Sequence, residues 1–133
     1  MPLIPANLDL SCYVGAELGT ISLGPFAISF LFYPPHKLVP GKAGEPLAVG
    51  VQGPWILSDS TGTAIDDNHR YADRGACWLS VLLTQHVVAA QVKPPNQIFF
   101  LFSSGHMLSI FSDETGFESI EIAIVPGEPG YIF

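Results

Sequence analysis

Carboxylates and imidazoles are the groups in this chain most able to do chemistry, and their spacing decides what chemistry is open to them. Asp66, Asp67, His69 and Asp73 form the one dense group of candidate metal ligands, and oxygen-rich loops of this kind can hold Ca²⁺ or Mg²⁺. Their spacing is not that of an EF-hand, and a helix N-terminus draws acidic residues through its dipole and its free N–H groups. Capping is therefore the expected role, and no metal is expected. His36, His69, His86 and His106 are scattered, with no HExxH pattern and no Cys/His ligand spacing. No serine sits in a GxSxG elbow, and Cys77 falls inside a predicted helix, where a buried inert thiol is the ordinary outcome. No glycine pattern cradles a phosphate. Asp113 and Glu118 could be drawn as a glycosidase-like pair, but two acids near one turn carry no such role without a cleft. No catalytic residue and no cofactor are expected, and the chain does not read as an enzyme. Only a deep cleft bringing His69 or His106 to Glu118 would change that.

The run SDETGFESIEIAI, Ser112 to Ile124, carries four carboxylates and no cation. Strand alternation from Gly116 puts Glu118 on the face of Ile120, Ile122 and Ile124. A carboxylate there needs partners, and Arg70, Arg74 or the amides of the Asp113–Gly116 turn are the expected ones. Glu118 is thus read as a structural latch. Glu121 falls on the opposite face with Phe117, Ser119 and Ala123, toward solvent.

Twelve acidic against five basic residues give a formal charge of −7, so nucleic acid and anionic membranes are disfavoured and a basic protein partner is favoured. Asp113, Glu114 and Glu121 are the first candidates for a partner-binding surface, and Asp66 and Asp67 the second. At 133 residues and 48% apolar, the chain is expected to fold as one domain over 1–133. The uncharged stretches Leu18–His36 and Gly75–Val92 are broken by prolines or by Thr84, Gln85 and His86, so neither reads as a membrane span. The opening MPLIPANLDL has neither a basic start nor a continuous apolar run, and a cytoplasmic location with Cys12 and Cys77 reduced is the expectation.

The elements that must position these residues announce themselves by an internal echo. ISFLF at Ile28–Phe32 matches IFFLF at Ile98–Phe102 at four of five positions. Each is followed by a second strand, LAVGV from Leu47 and MLSIF from Met107. Third strands are expected at PWILS near Trp55 and FESIEIAI from Phe117, with GTISL and HVVAAQV preceding. Ser104-Gly105 suits a tight hairpin whose glycine takes positive φ. The longer Tyr33–Pro46 connection reads as a proline-rich surface loop. Between the halves, Gly75, Trp78, Leu79 and Leu82 recur at helical spacing after a capping acid. The expected architecture is α+β: a predominantly antiparallel sheet from two similar β-meanders, 8–59 and 86–133, with one central helix over about 68–85 packed on it.

The run IFFLFSSGHMLSIFSDETGFESIEI resembles the C-terminal hairpin of small bacterial proteins of mostly unassigned function, with Phe102, Gly105, Leu108, Ile110, Asp113 and Phe117-Glu118-Ser119 at the matching positions. Phe117 stands where tyrosine is commoner, and the first half matches only loosely. Some such proteins are encoded beside polymorphic toxins. The resemblance implies a non-catalytic immunity protein that neutralises a toxin or effector domain. The other reading is a small-molecule or peptide-binding module that uses Tyr33–Pro46 as a lid.

Overall fold

The computed structural model of the chain describes residues 4–25, 27–35, 45–69, 78–112 and 119–133. Ten strands run in chain order: β1 (Glu17–Leu23), β2 (Ile28–Tyr33), β3 (Leu47–Val51), β4 (Trp55–Ser58), β5 (Ala64–Asp67), β6 (Val87–Lys93), β7 (Gln97–Phe102), β8 (Met107–Phe111), β9 (Ile120–Ile122) and β10 (Tyr131–Ile132). They form two five-stranded antiparallel sheets, ordered β1-β2-β3-β9-β10 and β5-β4-β8-β7-β6. Period-two alternation decides which face is buried. Ile28, Phe30 and Phe32 of β2 and Ile98, Phe100 and Phe102 of β7 all turn inward. Phe32 stacks on Phe100 with ring centroids 5.3 Å apart, joining the sheets across one shared core. Tyr13 meets both rings edge-on and donates its hydroxyl hydrogen to the Ala123 carbonyl.

The expected α+β class with a central helix is overturned. The chain is mostly β, and among the described residues no helix reaches seven residues. Of the capping candidates Asp66, Asp67 and Asn68, the two aspartates end β5 and pair with Leu57 and Ile56 of β4, and helical residues begin directly after them at Asn68. Of the expected helix 68–85, Asn68 and His69 are helical, residues 70–77 lie outside the described residues, and Trp78–Leu82 is a 3₁₀ turn. A three-residue period buries Leu79 and Leu82 while Trp78 is left 56% exposed, so Trp78 does not share their face, and Gly75 of the expected stripe lies outside the described residues. Thr84, at φ 67°, turns the chain out of the helical region.

The internal echo extends far beyond five residues. Each half runs 3₁₀ turn, meander, then two more strands, and those two strands cross into the other half's sheet: β4 pairs with β8, and β9 with β3. The expected third strands therefore complete the opposite meander instead of their own. The correspondence holds in detail. Both entry hairpins carry a bulge at the same place, between Leu18 and Thr20 and between Val87 and Ala89, opposite Phe32-Leu31 and Phe102-Leu101. Where β1 approaches β6, Gly15 N–H donates to the Val87 carbonyl and Thr84 N–H to the Leu18 carbonyl. Leu18 N–H donates to Gln85 and Val87 N–H to Ala16 in the same reciprocal manner. Gly15 and Thr84 both take positive φ, 86° and 67°. These are the exchanged contacts of a two-fold axis relating the halves.

Candidate functional site

The two-fold relation makes the outer faces comparable residue by residue. One row across the first sheet reads Ser22, Ser29, Gly50, Glu121, Ile132, each the register partner of the next. The corresponding row of the second sheet reads Gln91, Phe99, Ser109, Ile56, Asp67. Phe99 stands where the first sheet has Ser29, and Ile56 where it has Glu121. The second face is covered by larger apolar side chains, with the Lys93 ammonium 4.2 Å from the Phe99 ring centre. The first face is cut down to backbone at Gly50, whose bare Cα lies beside Glu121: a Cβ built there would sit 3.8 Å from the Glu121 Cβ.

The result is a shallow pocket of about 170 Å³ lined by Ala27, Ser29, Gly50, Gln52, Glu121 and Ile132 among others. Its chemistry is one carboxylate beside a hydroxyl and an amide, with an exposed apolar side chain, Ile132 at 52%, on the rim. Such a set suits an aliphatic stem ending in a cation. Among the described residues no cation pairs with Glu121; the one described ion pair is His86 with Glu17, 3.7 Å apart on the β1–β6 seam.

Glu121 is thus exposed, as its alternation requires, while Ile120 and Ile122 are buried on the other face. The alternation ends with the three-residue strand, since Ser119 and Ala123 are buried as well. Asp113, Glu114, Glu118, Arg70 and Arg74 lie outside the described residues, so the latch expected of Glu118 is not placed. Asp66 corrects the sequence reading: at 1% exposure it belongs to no binding surface. Its Oδ2 accepts the Trp78 N–H at 2.8 Å and its Oδ1 the Asp67 N–H at 2.9 Å, so it ties the 3₁₀ turn to the edge of the second sheet. Asp67, partly buried, lies on that sheet's outer face opposite Ile56, remote in register from Glu121. Gly105 takes φ 88° in the β7–β8 hairpin, as expected.

Ser29, Gly50, Gln52 and Ile132 were not singled out by sequence reasoning. Gly50 carried the usable signal, because a glycine inside LAVGV marks either a bulge or a place where backbone is left bare.

A serine, a histidine and an aspartate do meet at one end of the second sheet. Ser104 Oγ lies 2.8 Å from His106 Nδ1 on the β7–β8 hairpin. Asp59 accepts the Thr61 hydroxyl and the N–H groups of Thr61 and Thr63, and these bonds, led by that hydroxyl and helped by His106, hold its carboxyl below the usual range. These bonds are open to solvent and span two to four residues, so the arrangement closes turns and does not assemble a cleft. Cys12 is half-buried, and burial with help from Asp9 pushes its thiol up to about 11, which makes it a poor nucleophile. Among the described residues no group of three or more His, Cys, Asp or Glu side chains could hold a metal ion. A groove of about 500 Å³, open to solvent, runs between residues 6–14 and β6. Among the described residues no helix is long and apolar enough to cross a membrane.

Comparison with protein-family models, curated proteins and solved structures finds no match for this chain.

Proposed function

We propose that the protein is a non-catalytic acidic binding protein whose first-sheet face receives a lysine or arginine side chain of a basic protein partner at Glu121. The carrying observation is the pocket at Glu121, opened by Gly50 on a face where the other half of the fold has filled the equivalent positions with Phe99 and Ile56. A charge of −7 on the chain steers such a partner from a distance. An immunity protein bound to a toxin or effector domain fits this chemistry, and the resemblance of the C-terminal hairpin supports that form of the reading. The test is co-expression with the secreted effector encoded beside its gene. The wild-type chain is expected to restore growth, Asp59→Lys to restore it equally, and Glu121→Lys to lose protection. Equal protection by both variants, or no effector gene at that locus, removes the immunity reading.

The groove along β6 favours a second reading, a peptide-binding module. β6 is the terminal strand of its sheet, and Val14 at 46% and Val88 at 54% exposure flank the groove, so an extended peptide could add as a sixth strand. Amide exchange along Val88–Val92 that does not slow in the presence of a candidate peptide rules this out.

A further inference from the structure

The two-fold relation bears on what this chain can associate with. Each sheet consists of three strands from one half and two from the other, so neither half completes a sheet alone. The inter-half contacts are those a dimer interface would have: the β3–β9 and β4–β8 ladders, the reciprocal bonds of Gly15, Leu18, Thr84 and Val87, and the Phe32–Phe100 stack in the core. We infer that the chain is a fused pair of like halves, and that the partner its core accepts is the matching half of a second copy. In such an exchanged dimer the first half of each chain closes its sheets with the second half of the other, and every contact is one the monomer already makes. The choice between monomer and dimer is then set by chain concentration against the effective concentration that the connection between the halves provides.

The test places one cysteine in each half, Ile56→Cys and Ser109→Cys, in a chain lacking Cys12 and Cys77. The two positions are register partners on the outer face of the β4–β8 ladder, where antiparallel partners lie within disulfide reach. The reduced, denatured chain is refolded at about 10 μM and at about 1 mM, the latter near the effective concentration a short linker provides, and then oxidised. A dimer whose disulfide joins the two chains is expected, with a dimer-to-monomer ratio about 50-fold higher at the higher concentration, in proportion to the free monomer that remains. Monomer alone at both concentrations overturns the inference, and so does a dimer whose disulfides all lie within single chains.

A second measurement uses the natural sequence, in which the two arginines, Arg70 and Arg74, both fall between the halves. Arginine-specific cleavage of the denatured chain frees 1–70 and 75–133. On removal of denaturant the two fragments are expected to regain the intact chain's circular dichroism as a one-to-one complex. Fragments that stay apart or unfolded overturn the inference.

Discussion

Replacing Asp66 with alanine removes the acceptor for two N–H groups at once, and the cost follows from the geometry. The carboxylate is 1% exposed, and its two oxygens serve different donors, Oδ1 the Asp67 N–H and Oδ2 the Trp78 N–H. A hydrogen bond to a charged acceptor contributes about 1.5 to 3 kcal/mol, and a buried donor left unpaired costs a similar amount. Some of that loss is recovered when water reaches the vacated edge of β5, so Asp66→Ala is expected to destabilise by about 3 kcal/mol. For a domain of this size that is a fall in Tm of roughly 10 °C. Asparagine is the informative comparison, because one of its two positions is an NH₂ that would face an N–H donor. Asp66→Asn should therefore lose nearly as much, about 2 kcal/mol, despite its matching shape. Urea unfolding followed by circular dichroism measures both, with the slope expected to stay at its wild-type value. A loss under about 0.5 kcal/mol for alanine, the size typical of exposed sites, would show that Asp66 is solvated and that Ala64–Asp67 is not held at the sheet edge.

Three further outcomes are expected. Tyr13→Phe keeps the edge-on contacts to Phe32 and Phe100 but leaves the Ala123 carbonyl without its hydroxyl donor, and should cost about 1 to 2 kcal/mol in the same urea assay. Cys12, with its thiol raised from 9.0 to about 11, should alkylate about 100-fold more slowly at pH 8 than an unperturbed thiol, since two units of pKa lower the thiolate fraction by that factor. Peptide mass mapping reads Cys12 separately from Cys77, and the rate should climb as pH rises toward 11. Gly50→Val fills the Glu121 pocket at ordinary contact distance, 3.8 Å from Cβ to Cβ. It should leave the midpoint of unfolding unchanged or slightly raised, since valine suits a strand better than glycine, while protection against a basic effector is lost.

The strands were legible because their chemistry is local. Ile28–Tyr33, Leu47–Val51, Gln97–Phe102 and Met107–Phe111 are each short, largely apolar runs of β-branched, aromatic and aliphatic side chains, and each forms a strand in which every second residue turns inward. The echo between the first and third of these was likewise visible. The destination of β4 and β9 was not, because pairing between strands so far apart in sequence leaves no trace in the spacing of either one. The same limit produced the helix error. Leu79 and Leu82, three apart, satisfy an α-helical stripe and a 3₁₀ turn equally, and the turn wins here where Thr84 and the reciprocal β1–β6 bonds draw the chain back into a strand. Asp66 shows the converse case. The argument that a carboxylate on a buried face must find N–H partners was sound, but the residue that obeys it within the described structure is Asp66, on a short strand whose sequence AIDD reads as a helix cap. Glu121 was placed on the solvent side correctly, whereas the pocket beside it depends on the absence of a side chain at Gly50, on the neighbouring strand but far away in sequence.

The direct test of the Glu121 site is a chemical-shift titration of the isotope-labelled chain with a short peptide rich in lysine and arginine. Shifts should concentrate on Ser29, Gly50, Gln52, Glu121 and Ile132, the lining of one pocket. They should weaken as salt rises, since exposed charges are screened over about 10 Å at 0.1 M, and they should vanish in Glu121→Gln. Shifts spread evenly over Asp9, Glu17, Asp59 and Glu128, unchanged by Glu121→Gln, would contradict the account and leave only a diffusely acidic surface.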